Sequence, residues 1–269
     1  MRKPVLLRGP CFPSHESNRM HGEGDVAGAR DFFLRRRPSN LEHLLRQRFS
    51  WMNDYISPGT RALELGSGAG FSQLFINQTI TMSDVEPRPW VTQVVDALDL
   101  DFPDGSFDVV ICSHMIHHLA KPVPFFHRVS RVLRPGGRML INEINTALLM
   151  RFLLKLMKHE GWSYEVDVFD SESVANDPAD PWSANCAIPQ LLFDDISVFE
   201  RKVPMFRVER HELNEFLVFP LSGGVIAKTR TINLPKPMLQ AVDVLDGLLI
   251  KLMPSVFPMA RRIVLQRAA

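Results

Sequence analysis

The sequence predicts a doubly wound α/β fold, a mostly parallel sheet with helices on both faces, and three observations carry that expectation. Residues 62–71, Ala-Leu-Glu-Leu-Gly-Ser-Gly-Ala-Gly-Phe, run an apolar stretch through an acid and then place glycine at 66, 68 and 70. A strand ending in such a turn brings bare backbone against a nucleotide-like ligand, because glycine accepts positive φ and close approach. Later apolar runs, such as Phe107-Asp-Val-Val-Ile-Cys112, are nearly continuous, as parallel strands buried on both faces require. Between these runs lie segments of helical period, the alternation expected of βαβ units.

In chain order, residues 1–38 are rich in Gly, Pro, Arg and His, and within them only 26–36 has a helical pattern. This stretch is expected to be an arm or lid. Ser39-Asn40-Leu41-Glu42 has the form of a capping box, and Leu41, Leu44, Leu45, Met52, Tyr55 and Ile56 follow at helical spacing until Pro58-Gly59. Strands are expected at 61–65, 79–83, 92–95, 107–112 and 138–144, with helices at 69–77, 115–119 and 122–133. The last helix opens at Pro122 and ends before Pro135-Gly136-Gly137. Only 11 residues separate Asp84 from Asp96, too few for a crossover helix plus a strand, so Glu86–Trp90 is expected to make one turn.

Beyond 146, residues 147–158 read as an apolar helix with Arg151, Lys155 and Lys158 on one side, expected to pack against the sheet, with contact to a membrane surface as the alternative. An irregular stretch from Phe169 to Pro189, a strand at Phe206–Leu213, a helix at 238–252 and a strand at Arg261–Gln266 complete the chain. The expected organisation is an arm (1–38), a ligand-binding core (39–146) and an acceptor-side cover with the last strands (147–269), within one globular domain.

Bulk properties fit an enzyme. The 269 residues suffice for a large core, and Lys+Arg 31 against Asp+Glu 30 gives no general attraction for nucleic acid. Cys11, Cys112 and Cys186 are odd in number and far apart, which reads as free thiols in the cytoplasm. The first ten residues lack the apolar core of a signal peptide, and no window is apolar enough for stable membrane insertion.

The glycine loop alone is a weak signal, since nicotinamide and flavin sites use one too. The competing dinucleotide fingerprint G-x-G-x-x-G meets Phe71 where its third glycine belongs. The loop is followed in order by Asp84, Asp96, Phe107-Asp108 and Leu133-Arg134-Pro135-Gly136-Gly137. As a set, over about residues 60–145, this series resembles the class I S-adenosylmethionine-dependent methyltransferases, in their small-molecule, type 11-like branch. The resemblance implies a Rossmann-like sheet, with residues 261–266 as its antiparallel edge strand, and S-adenosyl-L-methionine as methyl donor.

Backbone amides of the loop (Gly66, Ser67, Gly68, Gly70, Phe71), at a helix N-terminus, would approach the donor's carboxylate. Glu64 would pair with its ammonium. Asp84, beside Val85 at the end of the second strand, is placed to accept the ribose hydroxyls. Asp96-Ala97 sits where the family reads adenine, and Ser113-His114 would lie beneath the donor. Taken singly, Asp84 or Asp96 reads as a turn former or helix cap. Gly136-Gly137 and Phe107-Asp108 read as structural.

Four of the nine histidines, His114, His117, His118 and His127, fall between 114 and 127. His114 and His118 stand at i, i+4, yet no nearby thiolate or carboxylate pattern completes a metal site, so none is expected. His117 resembles the histidine of the His-His-Leu/Met segment in small-molecule O-methyltransferases, where it faces the acceptor and can act as base. Glu143, at the end of the fifth strand, occupies the position of its acidic partner. A hydroxyl is a poor nucleophile until its proton is being removed, and an oriented imidazole suits that task. The aromatic residues of 159–260, among them Trp162, Trp182, Phe193 and Phe219, would either close over a ligand or form a satellite core.

The expected function is methyl transfer to a small-molecule acceptor, foremost to oxygen of a sugar, glycolipid or natural-product hydroxyl. C-methylation of a quinone or sterol-like precursor is the alternative within the class. A non-catalytic S-adenosylmethionine-binding protein and a nicotinamide oxidoreductase are the alternatives outside it.

Overall fold

The apolar runs become seven strands: β1 (Ala62–Leu65), β2 (Thr81–Asp84), β3 (Gln93–Val94), β4 (Phe107–Ser113), β5 (Leu133–Ile144), β6 (Phe206–Asn214) and β7 (Ala260–Arg267). They are seen in a computed structural model that describes residues 12, 24–158, 160–226 and 229–268. The strand order is β3-β2-β1-β4-β5-β7-β6. The first five pair in parallel, and β7 lies antiparallel between β5 and β6. The order reverses between β1 and β4, the crevice where open α/β sheets bind ligands beyond the carboxyl ends of their strands.

Alternate residues face opposite layers, as strand geometry dictates. Leu63, Leu65, Val110, Cys112 and Ile141 join one apolar cluster, and Ala62, Val109, Ile111 and Leu140 the other. On the first side pack α3 (Pro122–Val132), α5 (Ile188–Phe193) and α6 (Ile196–Lys202), where Phe126 meets Phe193 and Phe199 edge-on. On the second side lie α1 (Val26–Arg36) and α2 (Ser39–Phe49). Phe33 of α1 meets Phe71 with ring centroids 5.0 Å apart, which seats the N-terminal helix on the glycine loop. A third cluster gathers α4 (Leu148–Met157) and the end of α8 (Lys236–Leu252) over the ends of β5 and β7, with α7 (Val218–Ser222) between β6 and α8.

Several local expectations change. The helix expected at 69–77 is a single 3₁₀ turn, Ser72–Leu74. Side chains take the backbone groups a helix would use: Asn53 bonds Phe75 O and Asn77 N, and Gln73 bonds Gln78 O and Ile80 N. The loop amides therefore do not stand at an α-helix N-terminus. The 115–119 segment is likewise a 3₁₀ turn, Ile116–His118. Ser39 does not cap α2: Pro38 precedes the helix, and Ser39 Oγ donates to Leu234 O at 2.8 Å. The final strand is not at the edge, because β6, half-exposed along its length, covers it.

Between β2 and β3 there is no helix, in keeping with the short spacing. β5 begins at Leu133 rather than 138, with a register shift against β4 that accommodates Pro135-Gly136-Gly137. Asp108 is structural: it accepts Arg61 N at 2.8 Å and Arg134 Nε at 2.7 Å, and these partners hold its carboxyl well below the usual range. Cys112 and Cys186 are buried free thiols. Cys11 and the remainder of 1–23 apart from Phe12 lie outside the described residues.

Candidate active site

β1 delivers the chain into the glycine loop at the reversal point. Gly66, Gly68 and Gly70 all have positive φ, at 70°, 49° and 63°. A Cβ on Gly66 would stand 2.5 Å from Met115 Cγ, whereas one on Gly68 would meet nothing within 4 Å, so the backbone there faces open space. The loop is clamped from outside. Trp90 Nε1 donates to Gly68 O at 2.9 Å, and Arg30 of α1 donates to Ala69 O and Gly70 O while stacking on Trp90. From β2, Asp84 accepts Gly68 N at 2.8 Å and Glu86 N at 3.1 Å.

A cleft of about 610 Å³ opens over the ends of β1, β2 and β4, within the usual range of small-molecule sites. Its nucleotide side includes Glu64, the loop from Gly66 to Gly68 with Phe71, then Asp84-Val85 and Asp96-Ala97. Ser113, His114 and His117 also line it, so twelve of the fourteen residues expected at the site converge on one cavity. Gly70 lies behind the loop against Trp90 and Arg30, and Glu143 is fully buried behind His117. Asp96 Oδ1 accepts Leu98 N at 2.8 Å, the turn-forming bond its type favours.

One buried group suits a donor with a cationic amine. Burial pushes the Glu64 carboxyl up to about 7, against the opposing hydrogen bond that Ser72 Oγ donates at 2.6 Å. An ammonium beside it would offset that cost. Ser67, buried in the loop itself, acts on the Glu64 carboxyl in the same lowering sense as Ser72.

After β4 the chain turns sharply. His114 has a φ of 52°, a conformation few side-chain-bearing residues adopt, and its N–H donates to Asn142 O at 2.8 Å. Burial holds its imidazole well below the usual value. The turn is organised by Glu143, whose Oε1 accepts Met115 N at 2.6 Å and Ile116 N at 2.5 Å. Its Oε2 lies 2.7 Å from His117 Nδ1, fixing that nitrogen as the protonated one and leaving Nε2 toward the cleft. Burial disfavours the His117 cation, but the charges of Glu143 and Glu160 overcome it and raise the imidazole to about 10. His118 behaves oppositely: burial and the neighbouring His117 lower it to about 4, and its Nδ1 bonds Ser183 O at 3.1 Å.

Glu160, which sequence reasoning missed, faces His117 Nε2 at 3.7 Å and accepts from Cys186 Sγ at 3.2 Å. His117, Glu160 and Cys186 offer ligand atoms within 4.8 Å of one another, a spacing that could hold a small cation. Also missed was Arg48 of α2, which lines the cleft while paired with Glu215 at 2.7 Å and buried. The aromatic residues divide: Trp182 and Phe219 line the cleft, whereas Phe193, Phe199 and Phe206 lie in the core.

A Rossmann-like sheet with a glycine loop and acids at the ends of its first strands defines a nucleotide-type ligand site. Residues 63–141 match the family model described as "Methyltransferase domain". This core is a class I S-adenosylmethionine-dependent methyltransferase domain of the type 11 branch, a family whose methyl donor is S-adenosylmethionine. The chain is 31% identical over 140 residues to 2-methyl-6-phytyl-1,4-hydroquinone methyltransferase of Synechocystis sp., covering 45% of this chain and 42% of that protein. It is 37% identical over 67 residues to 27-O-demethylrifamycin SV methyltransferase of Amycolatopsis mediterranei, covering 25% of this chain and 24% of that protein. The chain thus spans less than half the length of these curated relatives. In fold it is similar to a solved SAM-dependent methyltransferase from Archaeoglobus fulgidus, with a TM-score of 0.53 at 16% identity, covering 88% of this chain and 99% of that one.

Proposed function

We propose that this chain transfers a methyl group from S-adenosylmethionine to a hydroxyl of a small-molecule acceptor, such as a sugar, glycolipid or natural product. The observation that supports this reading is the buried His117–Glu143 pair, 2.7 Å apart, beside the cleft that the glycine loop enters. When bound, the donor supplies an electrophilic methyl on a positively charged sulfur.

In this reading the loop backbone at Gly66 and Phe71 faces the donor's carboxylate and Glu64 its ammonium, while the amides of Ser67, Gly68 and Gly70 are held by Ser83 O, Asp84 and Ser67 O and keep the loop's shape. Asp84 holds the ribose, Val85, Asp96 and Ala97 flank the adenine, and Ser113 and His114 lie beneath. Glu143 keeps the Nδ1 proton of His117 in place, so that Nε2 would accept the hydroxyl proton as the oxygen bonds the methyl carbon and the methyl–sulfur bond breaks, releasing S-adenosylhomocysteine. Proton removal of this kind contributes about 10²–10⁴-fold, and alignment supplies the rest. The arm, 1–38, acts as a lid, residues 147–269 supply the acceptor-side helices and the last strands, and a cytoplasmic setting suits the buried free thiols.

A second reading, ring-carbon methylation of a hydroquinone, is favoured by the similarity to the hydroquinone methyltransferase and by the apolar side chains Met150, Leu154 and Phe219 in the cleft. Phenol deprotonation would serve that reaction equally. The test is methyl transfer from labelled donor to a glycolipid, a polyketide phenol and a hydroquinone, with the product's methyl located by mass spectrometry and NMR. His117→Ala should lower turnover by about 10²–10⁴-fold with donor affinity unchanged. A variant within about threefold of wild type, well under that range, would remove His117 as base.

A further inference from the structure

Two helices carry apolar faces that nothing in the described chain covers. On α4 the buried Met150 and Leu154 face the third cluster, and with Met157 they line the cleft. Leu148, Phe152 and Leu156, one turn apart on a different face, lie in solvent, with Phe152 66% and Leu156 70% exposed. On α8, Met238, Ala241, Leu245, Leu248 and Leu252 recur at steps of three and four, beside Val244, which is 74% exposed. This stripe runs almost the whole length of the helix. The two faces adjoin at one end, because Leu148 N and Leu149 N donate to Ser255 O and Val256 O just beyond α8.

The charges beside these stripes have one sign. Residues 147–158 contain no acid, and the exposed Lys155 and Lys158 lie beside the Leu148-Phe152-Leu156 stripe, with the half-buried Arg151 behind them. α8 adds exposed Lys236 and Lys251. Its two acids are turned to other uses. Asp246 is buried and accepts the amides of Phe216, Leu217 and Val218, while Asp243 is held by His43 and Gln47. A helix with a solvent-facing apolar stripe bordered by cations fits an interface of acyl chains and anionic headgroups. No helix among the described residues is long and apolar enough to cross a membrane, so the fit is to its surface.

We infer that α4 and α8 together dock the protein on an anionic lipid bilayer, inserting Phe152, Leu156, Leu248 and Leu252 at the headgroup boundary. The docking does not depend on the reaction. Where the methyltransferase reading also holds, α4 stands with one face on the bilayer and another on the cleft, so a lipid-embedded acceptor is the class that this arrangement serves.

The test is flotation of the purified full chain with phosphatidylcholine vesicles, with and without phosphatidylglycerol, alongside light scattering of the protein alone. The wild type should float with the anionic vesicles, less at high salt and little with phosphatidylcholine alone. Phe152→Glu combined with Leu252→Glu should reduce the bound fraction at least about tenfold, since each removes a large apolar side chain from the interface. The variant should keep the wild-type thermal shift with S-adenosylhomocysteine, which shows that it is folded and reports donor binding independently of docking. No flotation of the wild type, equal binding to neutral vesicles, or full binding by the variant would overturn the inference. So would a wild-type dimer that the variant dissociates, because a second copy would then cover the face.

Discussion

If His117 is the base proposed above, replacing Glu160 with Gln should speed methyl transfer near neutral pH, although the residue faces that histidine. Glu160 lies 3.7 Å from His117 Nε2, and together with Glu143 it holds the imidazole at about 10, in its charged form at neutral pH. The base form is therefore scarce, and turnover should climb as pH rises toward that value. An opposite charge at this range shifts a titrating group by about 1–3 units, each worth about 1.36 kcal/mol. Glu160→Gln removes the charge and keeps the shape, so the rising limb should move to lower pH by that amount. At about pH 8 the fraction of His117 able to accept a proton would then grow roughly tenfold at the smallest shift and toward a hundredfold at the largest. The weaker base tempers the gain in rate. The assay is kcat against pH with saturating donor and acceptor, in wild type and variant. An unmoved limb, or a wild-type rate that does not rise with pH above the ordinary imidazole range, would refute the assignment of His117 as base.

Asp84→Ala should weaken donor binding by at least about tenfold, since a carboxylate's hydrogen bonds are worth roughly 1.5–3 kcal/mol each. Calorimetry on the folded variant checks this, and unchanged affinity would take Asp84 out of the site. Donor affinity should fall on acidification below about 7, where Glu64 takes up its proton and loses its hold on the ammonium. Calorimetry across buffers of different ionisation enthalpy reads that proton directly. Glu64 and His117 both have raised values in the folded chain, so both bind protons more tightly there than when unfolded. Their stabilising contributions are present in acid and lost as pH rises, Glu64's between 4.5 and about 7 and His117's between 6.5 and about 10. Urea unfolding at stepped pH should show this decline, and each trend should vanish in the corresponding Gln or Ala variant.

What could be read from the sequence was local. Leu63, Leu65, Val110 and Cys112 share one layer, with Ala62, Val109 and Ile111 on the other, because neighbouring side chains of a strand point oppositely, and the glycine loop declared itself by spacing. The convergence of Asp84, Asp96 and Ser113 follows from parallel strands ending on one side. What escaped depends on contacts across long stretches of chain. Glu160 and Cys186 reach His117 from loops outside the sheet, and the Arg48–Glu215 pair joins residues 167 positions apart. The missing helix after the loop has the same origin: Asn53, on a preceding turn, satisfies backbone groups whose local pattern favoured a helix. The place of β7 inside the sheet was hidden because β6 must fold back to cover it.

The central claim, that this cleft binds S-adenosylmethionine through the glycine loop and Asp84, is tested most directly by thermal unfolding with S-adenosylmethionine, S-adenosylhomocysteine or NAD. A ligand at about 100 times its Kd adds about 2.7 kcal/mol, which for a domain of this size raises Tm by roughly 5–10 °C. Both S-adenosyl compounds should give that rise in the wild type and much less in Asp84→Ala, and NAD should give none. A rise with NAD alone, or an undiminished rise in the folded Asp84→Ala variant, would contradict the account.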